Sequence, residues 1–311
     1  MTYYVRVMGE FPKTLVEFDS WFPSEEACRQ YLFDRRWPKG FCCPRCQHTE
    51  AWLTKRGLYL CSACNYQVSV TAGTIFHGSR KPLQSWFRAI WHITSQDFGA
   101  NALELQRILD FGSYHTAWEW LHKLRRTIGN LEKGRLHGWL ELDMVYIGDQ
   151  QSGKKARSDS EKTLIVIVAE RKEGFDEKRV ARFRLGRIND LSVNSLTAFI
   201  KKNISAGSTV CTNSWPGYNL LQYEGYRHNI VSTSDVIGED LLPLTNSVAS
   251  SLKKWLRRTY QGAIGLSYLD YYLDEYTFKY SHRRYVEHGF LFYILIKQAV
   301  VVDPSYKKDI R

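Results

Sequence analysis

Four cysteines carry the clearest chemistry in this chain of 311 residues. Cys43-Pro-Arg-Cys46 and Cys61-Ser-Ala-Cys64 are two Cys-x-x-Cys knuckles, with fourteen residues between them. Each knuckle offers two thiolates on a tight turn, and two such turns close a tetrahedral zinc site. Cys42 stands beside a ligand, but Cys43 has the x-x spacing to Cys46. Such a zinc takes the place of a hydrophobic core and leaves no open position for catalysis. The acids form a second set. Asp143 lies in an apolar run, Trp139 to Ile147, and Glu141 falls two residues earlier on the same strand face. Asp149 follows that strand, and Asp274 and Glu275 come late in the chain, where pairing with Arg283 or Arg284 is expected. The third set is basic: Arg45, Lys55 and Arg56 around the knuckles, Lys123, Arg125 and Arg126 farther on, and Lys253, Lys254, Arg257 and Arg258 on one helical segment. In that last group 253 and 257, like 254 and 258, are i,i+4 neighbours and make a positive strip.

Elements must hold these groups in place. Trp52 to Thr54 and Leu58 to Leu60 read as strands around a turn at Arg56-Gly57. From Pro82 to about Ile128 the apolar spacing is helical. Leu83, Trp86, Phe87, Ile90 and Trp91 share one face; Ala102, Leu105 and Ile108 share another. After a break at Asp110-Phe111-Gly112-Ser113, Trp118, Leu121, Leu124 and Ile128 form a further stripe. The outward face of that helix is read as His122, Lys123, Arg125 and Arg126. Helix, glycine-containing turn and basic helix is the outline of a helix-turn-helix, with Ser113, Tyr114, His115 and Glu119 placed to read bases.

Beyond Gly138 strands take over. Trp139–Ile147, Lys162–Glu170 and Arg179–Leu185 come first. A helix over Ser192–Ile204 follows, then a strand over Ser208–Thr212, a short helix over Gly217–Tyr223 and a strand over His228–Val231. A long helical region begins near Asn246. Three strands, helix, strand, helix, strand is the order of an α/β ribonuclease-H-like core with a mixed five-stranded sheet. There the first and fourth strands end side by side, where carboxylates can hold divalent metals for phosphodiester chemistry. The expected domains are an N-terminal helical segment (1–38), a zinc ribbon (39–78), a helix-turn-helix-like region (79–135) and the core (136–311).

Composition agrees with this layout. Hydrophobic residues make up 44% and aromatic residues 14%, enough for packed cores. The net charge is +11 and is shared by both halves, which favours a polyanion partner such as nucleic acid. No apolar run is long enough for a membrane span, and Lys297 and Gln298 break the most apolar stretch, Phe290 to Val302. The N-terminus lacks the layout of a signal peptide. Clustered cysteines point to metal in a cytoplasmic protein rather than to disulfides.

In their order, the motifs resemble the bacterial insertion-sequence transposases that join a zinc ribbon to a ribonuclease-H-like core and are related to Merlin elements. Besides the knuckles, the resemblance rests on Ser69-Val-Thr-Ala-Gly-Thr-Ile-Phe-His77, Thr116-Ala-Trp-Glu-Trp-Leu-His-Lys-Leu-Arg125 and Glu141-Leu-Asp-Met-Val-Tyr-Ile-Gly148. It continues through Thr212-Asn-Ser-Trp-Pro-Gly-Tyr218, Tyr226-Arg-His228, Ser250-Ser-Leu-Lys-Lys-Trp-Leu256 and Tyr272-Leu-Asp-Glu-Tyr276. It implies a DDE-type centre in which Asp143 is the first acid, Asn213 stands where the second acid belongs and Ser251 where the third ligand belongs. Lys253 is kept, and Met144 replaces an acid that usually follows the first Asp. Two of three ligands are therefore altered. Asn brings no charge to a cation and Ser is weaker still.

The reading that follows is a transposase-derived protein that binds double-stranded DNA, is catalytically impaired and acts as a regulator or a subunit of a larger assembly. The alternative is an active transposase that cuts and joins DNA by two-metal phosphoryl transfer. It would use Mg²⁺ or Mn²⁺ and could draw on a displaced set such as Asp143, Glu141 and Glu275. A protein scaffold without DNA is a third reading, disfavoured by the basic strips. A homodimer or larger assembly is implied by the resemblance alone.

Overall fold

The computed structural model describes residues 11–129, 134–148, 163–172, 179–231, 240–260, 266–283 and 288–304. Asp149, Lys154, Lys155, Arg157 and Arg284 lie outside them. The chain divides into two compact units, one formed by 1–131 with 282–311 and the other by 132–281.

The first unit opens with helices α1 (Leu15–Trp21) and α2 (Glu25–Arg36). Each has a hydroxyl cap: Thr14 accepts from Glu17 N at 3.2 Å and Ser24 from Ala27 N at 3.3 Å. A small antiparallel sheet follows, of β1 (Ala51–Leu53), β2 (Tyr59–Cys61) and β3 (Gln67–Val68), in that order. One face of this sheet is covered. Tyr59 packs on Phe33 and Trp37, with ring centroids 4.9 and 5.5 Å away. Next come α3 (Leu83–Ser95), α4 (Ala102–Ile108) and α5 (Tyr114–Gly129). Trp86 of α3 stacks on Trp120 of α5 at 3.6 Å, and Phe111 in the turn before α5 meets the same Trp120 edge-on. This fixes α5 against its neighbours through Trp120, which the expected stripe left out; Leu121, Leu124 and Ile128 are buried as expected, and Trp118 is half-buried.

The unit is completed by α9 (His288–Ala299), far along the chain. Its Phe292 is fully buried among Phe18, Phe22, Phe87 and Trp91, at centroid distances of 5.5 to 5.9 Å. This corrects the expected extent of the core domain. Residues 282–311 leave it because a ring the size of Phe292 fills an aromatic box in the first unit.

The second unit is built on a five-stranded sheet: β4 (Trp139–Ile147), β5 (Thr163–Arg171), β6 (Val180–Ile188), β7 (Thr209–Thr212) and β8 (Arg227–Ile230). The strand order is β6-β5-β4-β7-β8. β5 is antiparallel to both β4 and β6, while β4 with β7 and β7 with β8 are parallel. That is the mixed sheet of a ribonuclease-H-like fold. On one face, Leu140, Leu142, Val166 and Val168 bury against Leu196, Phe199 and Ile200 of α6 (Val193–Asn203) and Tyr218 and Leu221 of a 3-10 turn (Pro216–Glu224). Gly186 in β6 permits this packing, since a Cβ there would collide with the Phe199 ring. Ser192 caps α6 by accepting from Ser195 N at 3.2 Å.

The opposite face carries Glu141, Asp143, Ile165, Ile167 and Cys211, by the alternation of the strands. Helix α7 (Pro243–Tyr260) packs against β4 and β5, and α8 (Leu269–His282) follows it. Trp255 of α7 meets Tyr276 of α8 at 5.5 Å, and Tyr280 meets Phe183 of β6 at 4.8 Å. Tyr272 and Tyr276 of α8 are buried, and Tyr280 is half-buried.

Candidate functional site

The two knuckles fold by the same rule. Gln47 N donates to Cys43 O at 2.8 Å and Asn65 N to Cys61 O at 3.1 Å. Gln47 and Asn65, each just past the second cysteine of its knuckle, adopt the left-handed region with φ of 63° and 56°. Cys43 N donates to His48 O, and Cys61 N donates to Tyr66 O. This pseudo-symmetric pair of turns points the four sulfurs inward. The Sγ atoms of Cys43, Cys46, Cys61 and Cys64 lie within 4.8 Å of one another, with Cys43–Cys64 at 3.7 Å and Cys46–Cys61 at 3.6 Å. Tetrahedral zinc with Zn–S bonds of about 2.3 Å needs sulfurs about 3.8 Å apart, so the donor set fits structural zinc. Cys42 is exposed and outside this cluster.

In the second unit the strand register brings the candidate centre together. β4 pairs β7 in parallel at a constant offset, Leu140 with Val210 and Glu141 with Cys211. Extending that register by two residues sets Asp143 beside Asn213. Asn213 Nδ2 donates to Asp143 Oδ1 at 3.2 Å. The orientation of the amide is fixed by a second bond. Trp215 N donates to Asn213 Oδ1 at 3.0 Å, a local turn that only the oxygen can close. The amide oxygen, the atom that could ligate a cation, is thus turned to the backbone of Trp215, and the NH₂ group, not an oxygen, faces the carboxylate.

Burial pushes the Asp143 carboxyl above the usual range for Asp. Among the described residues no cation forms an ion pair with it. An amide donor at position 213 complements the Asp143 carboxylate. Two carboxylates at this spacing would repel and demand a metal.

Glu141 has a different role from that of a spare ligand. It is 1% exposed, and its Oε2 accepts from Leu244 N at 2.8 Å and Thr245 N at 3.0 Å, in the first turn of α7. A carboxylate placed on free N–H groups at a helix N-terminus is a strong long-range cap. Burial still outweighs those two donors and raises the Glu141 carboxyl to about 7. Glu275 is fully buried, with Lys279 Nζ 3.6 Å away, rather than pairing on an exposed helix face. The displaced acidic set is thus dispersed into separate structural duties. Ser251 sits half-buried on α7, and no hydrogen bond joins it to Asp143 or Asn213 among the described residues. Lys253 is exposed on the same helix.

Sequence reasoning missed the amide lock and the Glu141 cap. The Asn-Ser-Trp stretch could have signalled the first, because Asn commonly bonds the N–H two residues on. The second joins residues more than a hundred positions apart and had no local signal.

The basic groups divide. Arg45, Lys55, Arg56, Lys253, Lys254, Arg257 and Arg258 are exposed. Lys123 and Arg126 are half-buried. Arg125 is corrected: it is 2% exposed and its Nη2 donates to Ala100 O at 2.6 Å, tying α5 to the chain before α4. His122 is likewise buried, because α5 is covered on two sides. At the start of α5, Ser113, Tyr114 and His115 are exposed, while Glu119 is half-buried and lies 3.2 Å from His115 Nε2. Among the described residues no helix is long and apolar enough to cross a membrane.

Residues 135–281 match the ISXO2-like transposase domain, and residues 23–67 match the transposase zinc-ribbon domain, which therefore takes in α2. Over 142 residues the chain is 27% identical to an uncharacterized protein in transposable element ISH50 of Halobacterium salinarum. That alignment covers 44% of this chain and 45% of the relative, less than half its length. Among solved structures, a simian T-cell lymphotropic virus intasome in complex with PP2A regulatory subunit B56 gamma aligns at 12% identity and a TM-score of 0.29, over 57% of this chain and 61% of that one. The catalytic core domain of BIV integrase aligns at 12% and 0.26, over 44% and 80%. A pre-cleavage Mos1 transpososome aligns at 12% and 0.28, over 69% and 76%.

Proposed function

We infer that this chain, a relative of the insertion-sequence transposases through its ISXO2-like domain and its transposase zinc ribbon, is a DNA-binding protein whose nuclease centre is impaired. It serves as a regulator or as a subunit of a larger, at least dimeric, assembly. The observation that carries the impairment is the orientation of Asn213. Its oxygen is held by Trp215 N and its NH₂ is hydrogen-bonded to Asp143. A two-metal centre stabilises the attacking and leaving oxygens through cations held by carboxylates. Here one strand presents a carboxylate and its neighbour presents a donor. Ser251 adds no charge, and Glu141 is committed to α7. The residues present do not fit a pair of Mg²⁺ or Mn²⁺ ions, and no chemical step is assigned to them.

Double-stranded DNA is the partner that the charge supports. Arg45, Lys55 and Arg56 on the ribbon and Lys253, Lys254, Arg257 and Arg258 on α7 are exposed cations that can meet phosphates. Lys123 and Arg126 have less open surface, and Arg125 drops out as a DNA contact. The deciding experiment is calorimetric titration of zinc-loaded protein with Mn²⁺, alongside Asn213→Asp. The inference expects no Mn²⁺ uptake by the natural chain and uptake by the variant. Binding by the natural chain that Asp143→Ala abolishes would instead overturn the impairment and favour the alternative, an active DDE-type transposase, which metal-dependent strand transfer abolished by Asp143→Ala would establish.

A further inference from the structure

The ribbon sheet has two faces, and one of them packs on α2 through Tyr59. The other face is formed by Trp52, Leu60 and Gln67, which are cross-strand partners. Trp52 is 64% exposed and makes no ring contact with any described residue. Leu53, the next residue of β1, points to the Tyr59 face and is not part of this surface. β1 is also an edge strand, paired on one side only. Exposing an indole on a short, rigid hairpin forgoes burial that ordinary folding would recover.

The surroundings specify the occupant. Between Phe41 and Val68 the cations are Arg45, Lys55 and Arg56, and the single acid, Glu50, lies 3.8 Å from His48. Lys55 and Arg56 form the hairpin turn just beyond Trp52. At that turn Gly57 adopts a φ of 72°, and a Cβ there would collide with the Arg29 guanidinium, whose charge is shared with Glu25 at 3.9 Å. An aromatic plane flanked by exposed cations suits a nucleic-acid strand, with phosphates on the cations and a base on the ring. A protein partner of ordinary composition would not call for this charge.

We propose that the open ribbon face is a base-stacking platform. Trp52 receives an unstacked base of a DNA strand, and Lys55, Arg56 and Arg45 meet the adjoining phosphates. The proposal deepens the DNA-binding reading and rests on it. The zinc keeps the hairpin rigid, so the indole is presented without ordering a loop.

The test uses the full-length, zinc-loaded protein and two probes: an intact duplex, and the same duplex with one unpaired 2-aminopurine. The natural chain is expected to prefer the probe with the unpaired base and to change its 2-aminopurine fluorescence. Trp52→Ala should weaken that complex by roughly 5- to 100-fold, leave intact-duplex affinity within about twofold and retain zinc, while Trp52→Phe keeps part of the preference. Equal binding of the unpaired-base probe by Trp52→Ala and the natural chain overturns the platform and leaves DNA binding standing. Equal weakening on both probes also overturns it, because Trp52 is then a general contact. A change in oligomeric mass on Trp52→Ala without DNA overturns it in favour of a contact between copies. If the natural chain binds neither probe, the DNA-binding reading fails and the platform falls with it.

Discussion

At the residue scale the protein turns on one amide. Asn213 closes a turn with its oxygen and bonds Asp143 with its nitrogen. Asn213→Asp keeps the turn but sets two carboxylates about where donor and acceptor now meet. Zinc-loaded and without added Mn²⁺, the variant is expected to lose about 1–2 kcal/mol of stability by urea unfolding, and Mn²⁺ should restore it. An unchanged midpoint without Mn²⁺ would show that Asp143 and residue 213 are not in contact. Glu141 gives a second test. Its folded value, about 7, is above the ordinary 4.5, so the folded state holds a proton that the unfolded state releases. Stability from this group is full below about pH 4.5, falls as pH rises to about 7 and is then constant. The span is worth about 3 kcal/mol. Glu141→Gln should flatten the stability profile across that window in urea melts at pH 5 and 7.5. The strand bearing Asp143 and the position of Asn213 were legible in the sequence, since motif order and strand period place both. The direction of the amide was not, because it depends on a backbone N–H after the strand ends.

At the element scale the ribbon was the most legible part. Cysteine spacing alone specifies the fold of such a unit, whereas the third strand, Gln67–Val68, is too short to leave a period. Cys61→Ala should reduce zinc from one per chain to none by elemental analysis. A variant that still holds zinc at full occupancy would reject the four-cysteine site. Helix α5 was legible in length but not in environment. A 3.6-residue stripe identifies one buried side, and Arg125 is buried on another by a backbone carbonyl that the sequence does not reveal. The four cations on α7, by contrast, are exposed as their spacing predicts. Replacing Lys253, Lys254, Arg257 and Arg258 with Ala should lower the salt dependence of duplex binding, by about 0.9 log units for each phosphate no longer neutralised. If the slope does not change, α7 is not a DNA surface.

At the scale of the molecule, the sheet order and the position of α7 were readable from the alternation of strands and helices. The destination of α9 was not, because an apolar helix near the end of a chain fits either unit equally well in pattern. Phe292→Ala should destabilise the first unit by about 3–5 kcal/mol. Hydrogen exchange should rise in α1 to α3 and stay unchanged in β4 to β8; a uniform rise would mean that the two units unfold as one. The same connectivity has a consequence for the order of events during synthesis. The aromatic box around Phe18 and Phe22 emerges early from the ribosome, but its last wall is encoded after the whole of 132–281. At about 5–20 residues per second the earlier helices wait roughly ten to thirty seconds for it. Over that interval the core's residues are complete while the first unit still lacks α9. A product cut short by premature termination thus keeps its knuckles yet lacks the closing helix. On the proposed DNA binding, such fragments would be substrates for proteolysis rather than lasting competitors for a shared DNA site.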